Sequence, residues 1–228
     1  MNTKNHSSYE PDYAIPAGES VKEYMESMGI TQKEFAIRLG MTEQSLIRMY
    51  SGKQPLTYET ANRLEKVTGV SANFWNKREQ IYRERQARFK EAELGTTNKD
   101  WIRKFPLDLL QSQGFIPKSK DNGILYASLL HFFGVATVDA WDALWKNPRA
   151  LARRSRSLCF DSSPYKAATW IRMGELEAQK LSCSPTNKKA FNDILPEIRS
   201  LTRLKQSEFM PKMQELCKEV GVALVFVP

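Results

Sequence analysis

The sequence predicts an all-α protein built from two helical domains, with one short β-strand at its C-terminal end. Apolar residues recur at intervals of three and four over most of the 228 residues, which is the spacing of one buried face of a helix. Threonine or serine precedes several of these periodic segments and glycine follows them, as expected at helix ends. The chain closes with VALVFVP at residues 222–228, a β-type run.

Residues 31–53 predict two short helices joined by a tight turn, which is the helix-turn-helix pattern. Thr31 is a good N-cap for the first helix, and Glu34 three residues later completes a capping box. Gly40 can take the positive φ angle that ends this helix, and Thr42 caps the second helix. The small or apolar residues expected to pack the two helices together are Phe35, Ala36, Leu39, Met41, Leu46, Met49 and Tyr50.

Three further helices complete a predicted five-helix head. One precedes the motif and ends near Gly29. Another is capped by Thr57 and ends at Gly69. The last follows Ser71, begins with aromatic residues and continues as an arginine-rich rod to Leu94. A helix that is apolar at its start and charged later suits a dimer contact followed by a linker.

The sequence GTTN at residues 95–98 interrupts this helical pattern, so we place the domain boundary there. The predicted organisation is a flexible N-terminal arm at 1–16, a helix-turn-helix DNA-binding domain at 17–94 and a helical C-terminal domain at 95–228.

The motif resembles the phage-repressor-like (Xre) helix-turn-helix group, with Gln32 opening the first helix and small or apolar residues at the expected positions. The flanking segments, AIPAGESVKEYMESMGI and PLTYETANRLEKVTGVSANFWNKREQIYRE, are similar to those of HigA-type antitoxins. The resemblance covers roughly residues 14 to 90. It implies a DNA-binding repressor head, and resemblance to HigA implies a cognate toxin that cleaves RNA.

The second half resembles the helical region that joins an Xre-type head to an ImmA/IrrE-type zinc metallopeptidase domain. The segments that carry this resemblance are WIRKFPLDLL, LLHFFGV, RRSRS, ATWIRMGELEA, PEIRSLT and ELCKEVGVALVFVP. The peptidase motif HExxH, in which two histidines bind zinc and the glutamate activates water, is absent. The only histidines are His6 and His131, and we expect His131 to be a buried core residue.

Several local patterns set expectations for this second half. Asp100 is a candidate cap for a helix that Pro106 should split. A strongly apolar, buried helix should end at Gly134. A long amphipathic helix should open at Ser163, with Trp170 in its apolar stripe. The C-terminal run then forms the terminal strand.

Charge is distributed unevenly along the chain. The formal net charge is +8, but residues 1–94 hold 14 lysines and arginines against 13 acidic residues, and residues 95–228 hold 20 against 13. A nearly neutral head lowers the DNA affinity of one copy, so a homodimer becomes more necessary. A basic stretch with Arg149, Arg153, Arg154 and Arg156 suits RNA, an acidic protein or additional DNA, the alternative being a solvated or internally paired loop.

The composition argues against several classes of protein. Three distant cysteines, Cys159, Cys183 and Cys217, suggest reduced thiols in a cytoplasm. No uninterrupted apolar run approaches the ~18 residues of a membrane span, and the polar N-terminus lacks the apolar core of a signal peptide. No residue spacing indicates a metal site, a cofactor or a catalytic centre, so we expect no enzyme.

The second motif helix should meet base edges in the major groove of double-stranded DNA. Its candidate base-reading residues are Thr42, Glu43, Gln44, Ser45, Ile47 and Arg48. Gln44 can pair with adenine in a bidentate manner, and Arg48 with guanine. Glu43 can accept from cytosine N4 and Ile47 can touch a thymine methyl, although Glu43 would also repel phosphate. The alternative for each is a solvated surface residue.

Phosphate contacts set register and carry no sequence information. Gln32, Ser51 and Lys53 are the candidates for them. The leading hypothesis is therefore an antitoxin-type transcriptional repressor that binds its operator as a homodimer with half-sites about one helical turn apart. The alternatives are an Xre-type regulator without a toxin, the regulatory half of a peptidase system, and a protein-interaction module that donates its terminal strand to a partner.

Overall fold

The computed structural model describes residues 13–146, 163–201 and 203–227. The chain divides into two compact units, residues 1–93 and 94–228. The basic stretch at residues 149–156 and Cys159 lie outside the described residues.

Five helices form the first unit, as the sequence predicts. They are α1 (Ala17–Ser27), α2 (Gln32–Leu39), α3 (Glu43–Tyr50), α4 (Tyr58–Thr68) and α5 (Ala72–Thr97), the last of which continues into the second unit. Val21, Phe35, Leu46 and Leu64, one residue from each of the first four helices, are fully buried at its centre. Trp75 of α5 joins this core and donates from Nε1 to the carbonyl of Val70 at 3.2 Å.

Three threonine caps fix where α2, α3 and α4 begin. The hydroxyls of Thr31, Thr42 and Thr57 each accept from the backbone N–H three residues later, at 3.2, 3.1 and 3.2 Å. The predicted capping box at Thr31 is only half formed within the described residues. The Glu34 carboxylate accepts from Arg38 at 2.6 Å and does not reach back to Thr31, because an i,i+4 guanidinium is the stronger donor.

The second unit holds the end of α5 and seven further described helices. They are α6 (Lys99–Ile102), α7 (Leu107–Ser112), α8 (Asn122–Phe133), α9 (Val138–Trp145), α10 (Pro164–Gln179), α11 (Lys188–Leu201) and α12 (Gln206–Glu219). Its core is rich in aromatic side chains. Trp141 stacks on Tyr165 at a centroid distance of 4.8 Å and meets Phe105 and Phe133 edge-on.

The prediction that the long helix ends at Leu94 is wrong, because α5 continues through Gly95 to Thr97. A β-carbon on Gly95 would lie 2.5 Å from backbone atoms of Asn122, where α8 begins. Glycine is therefore used here for a close approach between helices and does not break the helix.

The predicted terminal strand is also wrong, since the described residues contain no strand. A strand needs a neighbouring strand to satisfy its backbone, and Val222 and Leu224 are bonded to α12 instead. Val222 N–H donates to the carbonyl of Cys217 at 2.8 Å, and Gln214 Nε2 donates to the carbonyl of Leu224 at 3.1 Å. Val227 packs against the aromatic core.

Three smaller expectations in the second unit also fail. Asn98, and not Asp100, precedes the helix around Trp101. Trp170 is 43% exposed, and His131 is exposed in the last turn of α8. Both lie on the outer face of helices whose other side supplies the core. The predicted break at Pro106 is confirmed, because α6 ends at Ile102 and α7 begins directly after the proline.

The span Asn122–Trp145 is long and apolar enough to cross a membrane by length and composition, with a mean hydropathy of 1.4. It contains two helices separated by Gly134, whose φ of +66° ends α8. Leu125, Leu129 and Phe133 of this span are core residues of the second unit. Because core helices commonly have this composition, the span is weak evidence for a membrane segment.

Candidate DNA-binding surface

The turn between α2 and α3 has the geometry that the sequence predicts. Gly40 has a φ of +64°, its N–H donates to the carbonyl of Ile37, and Met41 N–H donates to the carbonyl of Ala36, both at 3.0 Å. This is the Schellman arrangement, in which a left-handed residue closes the helix. Ala36 is buried between the helices, where a larger side chain would separate them.

Helix α3 has one buried and one exposed side. Leu46, Met49 and Tyr50 are buried in the first unit. The exposed side carries four of the predicted base-reading residues, Glu43, Gln44, Ile47 and Arg48. Glu43 and Ile47 are four residues apart, as are Gln44 and Arg48, and Gln44 and Ile47 are three apart, so the four side chains form one contiguous strip on the helix. We call this set the α3 strip.

Thr42 and Ser45 are partly engaged in capping α3. The Thr42 hydroxyl accepts from Ser45 N–H at 3.1 Å and donates its hydrogen to Ser45 Oγ at 3.0 Å. A hydroxyl carries a single donor hydrogen. Thr42 can therefore offer DNA only its methyl group and an acceptor oxygen while the cap is intact, whereas the donor hydrogen of Ser45 remains available.

The three residues predicted to contact phosphate differ in their exposure and in the hydrogen bonds that they already make. Lys53 is exposed and makes no hydrogen bond or ion pair with any residue that the structure describes. Ser51 is exposed, but its hydroxyl donates to the carbonyl of Arg48 at 3.1 Å and must rotate to reach phosphate. Gln32 is half-buried at the first position of α2. Of the three, Lys53 can therefore contact a phosphate with the least rearrangement of its side chain.

Ion pairs reduce the number of cations that this surface can offer. Arg38 pairs with Glu34, and Arg63 pairs with Glu59, each at 2.6 Å. Within the described part of the chain, Lys33, Arg48 and Lys53 of the motif make no such pair. The positive charge available to DNA therefore lies at both ends of the motif and on the α3 strip.

Two residues near this surface were missed by sequence reasoning. Arg63 of α4 donates from Nη1 to the carbonyls of Leu39 at 3.2 Å and Gly40 at 2.8 Å, so it holds the motif turn from outside. Tyr58, the first residue of α4, is 79% exposed, and its hydroxyl is a possible phosphate donor. The sequence did offer a signal for Tyr58, because it is an aromatic residue that directly follows the Thr57 cap. Nothing local indicates the long-range contact of Arg63.

No group of three or more histidine, cysteine, aspartate or glutamate side chains within the described ranges is arranged to hold a metal ion. Cys217 is buried, and burial raises the pKa of its thiol. Cys183 is half-buried.

Comparison with known proteins agrees with the geometry of the first unit. Residues 21–75, which include the C-terminal part of α1, all of α2 to α4 and the start of α5, match a helix-turn-helix family. No curated protein and no solved structure matches the chain. The family match and the exposed α3 strip together support an Xre-type transcriptional regulator that binds double-stranded DNA.

Proposed function

We propose that this protein is an antitoxin-type transcriptional repressor that binds the operator of its own operon and neutralises a cognate toxin. The observation that carries the DNA-binding part is the α3 strip, which presents hydrogen-bonding side chains on a helix-turn-helix scaffold. The antitoxin part rests on the resemblance of the flanking segments to HigA-type antitoxins.

Each residue of the α3 strip has a chemical role in this proposal. The guanidinium of Arg48 donates to O6 and N7 of guanine, and the amide of Gln44 pairs with the N6 and N7 edge of adenine. Ile47, which is 51% exposed, packs against a thymine methyl. Glu43 accepts from cytosine N4 at the first position of the helix. Lys53, Ser51 and Gln32 contact phosphates, which set the register.

The active form is a homodimer on a two-fold operator. One α3 strip reads only a few base pairs, and the head is nearly neutral, so one copy gains little sequence-independent affinity. Two copies related by a two-fold axis place two recognition helices about one turn of DNA apart, roughly 34 Å. We place this activity in the cytoplasm and assign the protein no enzymatic activity and no cofactor.

The DNA-binding part is tested on the DNA upstream of the protein's own coding sequence. Footprinting and fluorescence anisotropy should show one protected two-fold site, with two half-sites centred about ten base pairs apart. Sedimentation of the complex should give two chains per site. Equal affinity for the upstream DNA and for scrambled duplexes of the same length would overturn this part.

The antitoxin part is tested by co-expression with the product of the adjacent reading frame. We expect that product to arrest growth when expressed alone, and a stoichiometric complex with this protein to relieve the arrest. Specific operator binding without such a complex would instead favour a regulator without a toxin, or the regulatory half of a peptidase system. The third hypothesis, an interaction module that donates its terminal strand, loses support because Val222 and Leu224 are bonded to α12.

A further inference from the structure

The chain turns sharply directly after the recognition helix, and this turn is held by a helix far away in sequence. Gly52 has a φ of +68°, and its N–H donates to the carbonyl of Met49 at 3.0 Å. The N–H of Gln54 returns to the carbonyl of Arg48, also at 3.0 Å. We call residues 51–54 the post-recognition turn. It contains Ser51 and Lys53, two of the three candidate phosphate contacts.

Tyr82 of α5 packs directly on this turn. Its side chain is 5% exposed, and its hydroxyl occupies the space where a β-carbon on residue 52 would lie. The tyrosine hydroxyl also accepts from Gln86 Nε2 at 2.6 Å, which fixes it along α5. Residue 52 must therefore be glycine for two reasons, its positive φ and the contact with Tyr82.

Arg83 adds a hydrogen bond to the same residue. Its Nη2 donates to the carbonyl of Gly52 at 3.2 Å. The other two nitrogens of the guanidinium are held within α5, because Nε donates to Glu79 at 2.7 Å and Nη1 donates to Gln86 at 3.1 Å. A planar guanidinium fixed at two nitrogens can present the third in only one direction. Arg83 is thus aimed at the turn.

We propose that Tyr82 and Arg83 are positioning residues for DNA binding, which hold the post-recognition turn so that Lys53 reaches a phosphate beside the bases read by α3. This inference rests on the proposed DNA-binding function. It assigns α5 a part in DNA recognition although none of its residues needs to touch DNA. The role is indirect, because Arg83 acts on the backbone of Gly52, and Lys53 rather than Arg83 meets the ligand.

A double-mutant cycle tests this role with the full-length protein and its upstream operator. The variants are Arg83→Gln, Lys53→Ala and their combination, and Arg85→Gln is the matched control because it removes the same charge from the same helix. Arg83→Lys retains the charge but cannot keep all three hydrogen bonds. Thermal unfolding followed by circular dichroism checks that each variant is folded.

We expect Arg83→Gln to weaken operator binding and to reduce the salt slope by about one, as Lys53→Ala does. In the Lys53→Ala background the effect of Arg83→Gln should shrink by about threefold or more, since coupled residues are not additive. Arg83→Lys should lose part of the affinity, and Arg85→Gln should have the same small effect in both backgrounds.

Additive effects of Arg83→Gln and Lys53→Ala in a parent protein that binds its operator would overturn the positioning role and leave the proposed function intact. If Arg83→Gln and Arg85→Gln lost the same operator affinity, and lost it equally with and without Lys53→Ala, the effect would be one of net charge. That result would also overturn the positioning role. Failure of the parent protein to bind any upstream sequence would overturn the proposed function and, with it, this inference.

Discussion

Arg63 Nη1 lies 2.8 Å from the carbonyl oxygen of Gly40, so a residue of α4 caps the turn of the helix-turn-helix. The last carbonyls of a helix have no partner within the helix. Here a charged donor from a neighbouring helix satisfies two of them, those of Leu39 and Gly40. The spacing between the two motif helices therefore depends on α4 as well as on the turn sequence.

Replacing Arg63 with methionine should destabilise the first unit by about 1 kcal/mol, because two carbonyls lose a charged donor while most of the side-chain stem is kept. Urea unfolding of the full-length protein measures this change. Arg38→Met is the matched control, since Arg38 makes only a solvent-exposed i,i+4 pair, and it should cost less than about 0.5 kcal/mol. An equal loss for both variants would contradict the capping role.

Replacing Arg48 with alanine should cost about 1–3 kcal/mol of operator binding and relax the preference at a single base position. The reason is the loss of the proposed bidentate contact from the C-terminal end of the α3 strip. Binding to a panel of single-base operator variants measures the effect. Arg38→Ala removes the same charge from the motif and should leave the base preferences unchanged. Retained preference at every position in Arg48→Ala would refute the role of Arg48.

Replacing Lys53 with alanine should weaken binding to all sequences by a similar factor and lower the salt slope by about one. Lys53 is exposed and carries no base-specific geometry, so we expect it to contribute a phosphate contact. Titrations between low and moderate salt on specific and scrambled duplexes provide the measurement. Lys66→Ala, on α4, is a control of equal charge change. A change in base preference without a change in slope would argue against a phosphate contact.

Replacing Gly18 with alanine should destabilise the first unit by about 1–3 kcal/mol, because overpacking forces α1 away from α3. The new β-carbon would overlap the backbone carbonyl of Met49 and lie 2.7 Å from the Cα of Tyr50. Calorimetry resolves the transition of this unit. Gly174→Ala, also within a helix, meets only Val225 at 3.9 Å and should be neutral or stabilising by up to about 1 kcal/mol.

Tyr50 makes the stability of the first unit sensitive to alkaline pH. Burial, and to a lesser degree the Glu26 carboxylate, raises the pKa of Tyr50 to about 12. An unfolded tyrosine ionises at about pH 10, so between about pH 10 and 12 the unfolded chain releases a proton that the folded chain keeps. This contribution to stability is complete below about pH 10 and declines as the pH rises towards 12.

Urea unfolding between pH 9 and about 11.5 tests this dependence. The parent protein should lose stability with pH more steeply than Tyr50→Phe, which has no proton to lose at this position. Tyr58→Phe removes an exposed tyrosine and should follow the parent. If Tyr50→Phe declined as steeply as the parent, the Tyr50 hydroxyl would not be the group responsible.

Those features of the first unit that depend on residues close in sequence could be predicted from the sequence. The Thr31 and Thr42 caps and the left-handed Gly40 depend on backbone groups within a few residues. The exposed strip of α3 follows from the helical period, because fixing Leu46 and Met49 inside leaves the opposite side outside. These are short-range constraints, and the same residue types satisfy them in any fold.

Features set by distant contacts could not be predicted. Gly95 has low helix propensity, yet it lies inside a helix because the α8 backbone approaches it. The terminal run has high β propensity but has no strand beside it among the described residues. Arg63 and Arg83 act on residues 23 and 31 positions away, and no local pattern in the sequence marks such partners.

The continuity of α5 from the first unit into the second has a consequence for proteolysis. Proteases bind their substrates in extended form, and domain boundaries are usually cut because they are flexible linkers. The backbone at residues 93–94 is instead hydrogen-bonded helix, so cleavage there requires local unfolding of α5. Local unfolding of the last turn of α5, around Gly95, would therefore set the rate at which a protease separates the two units.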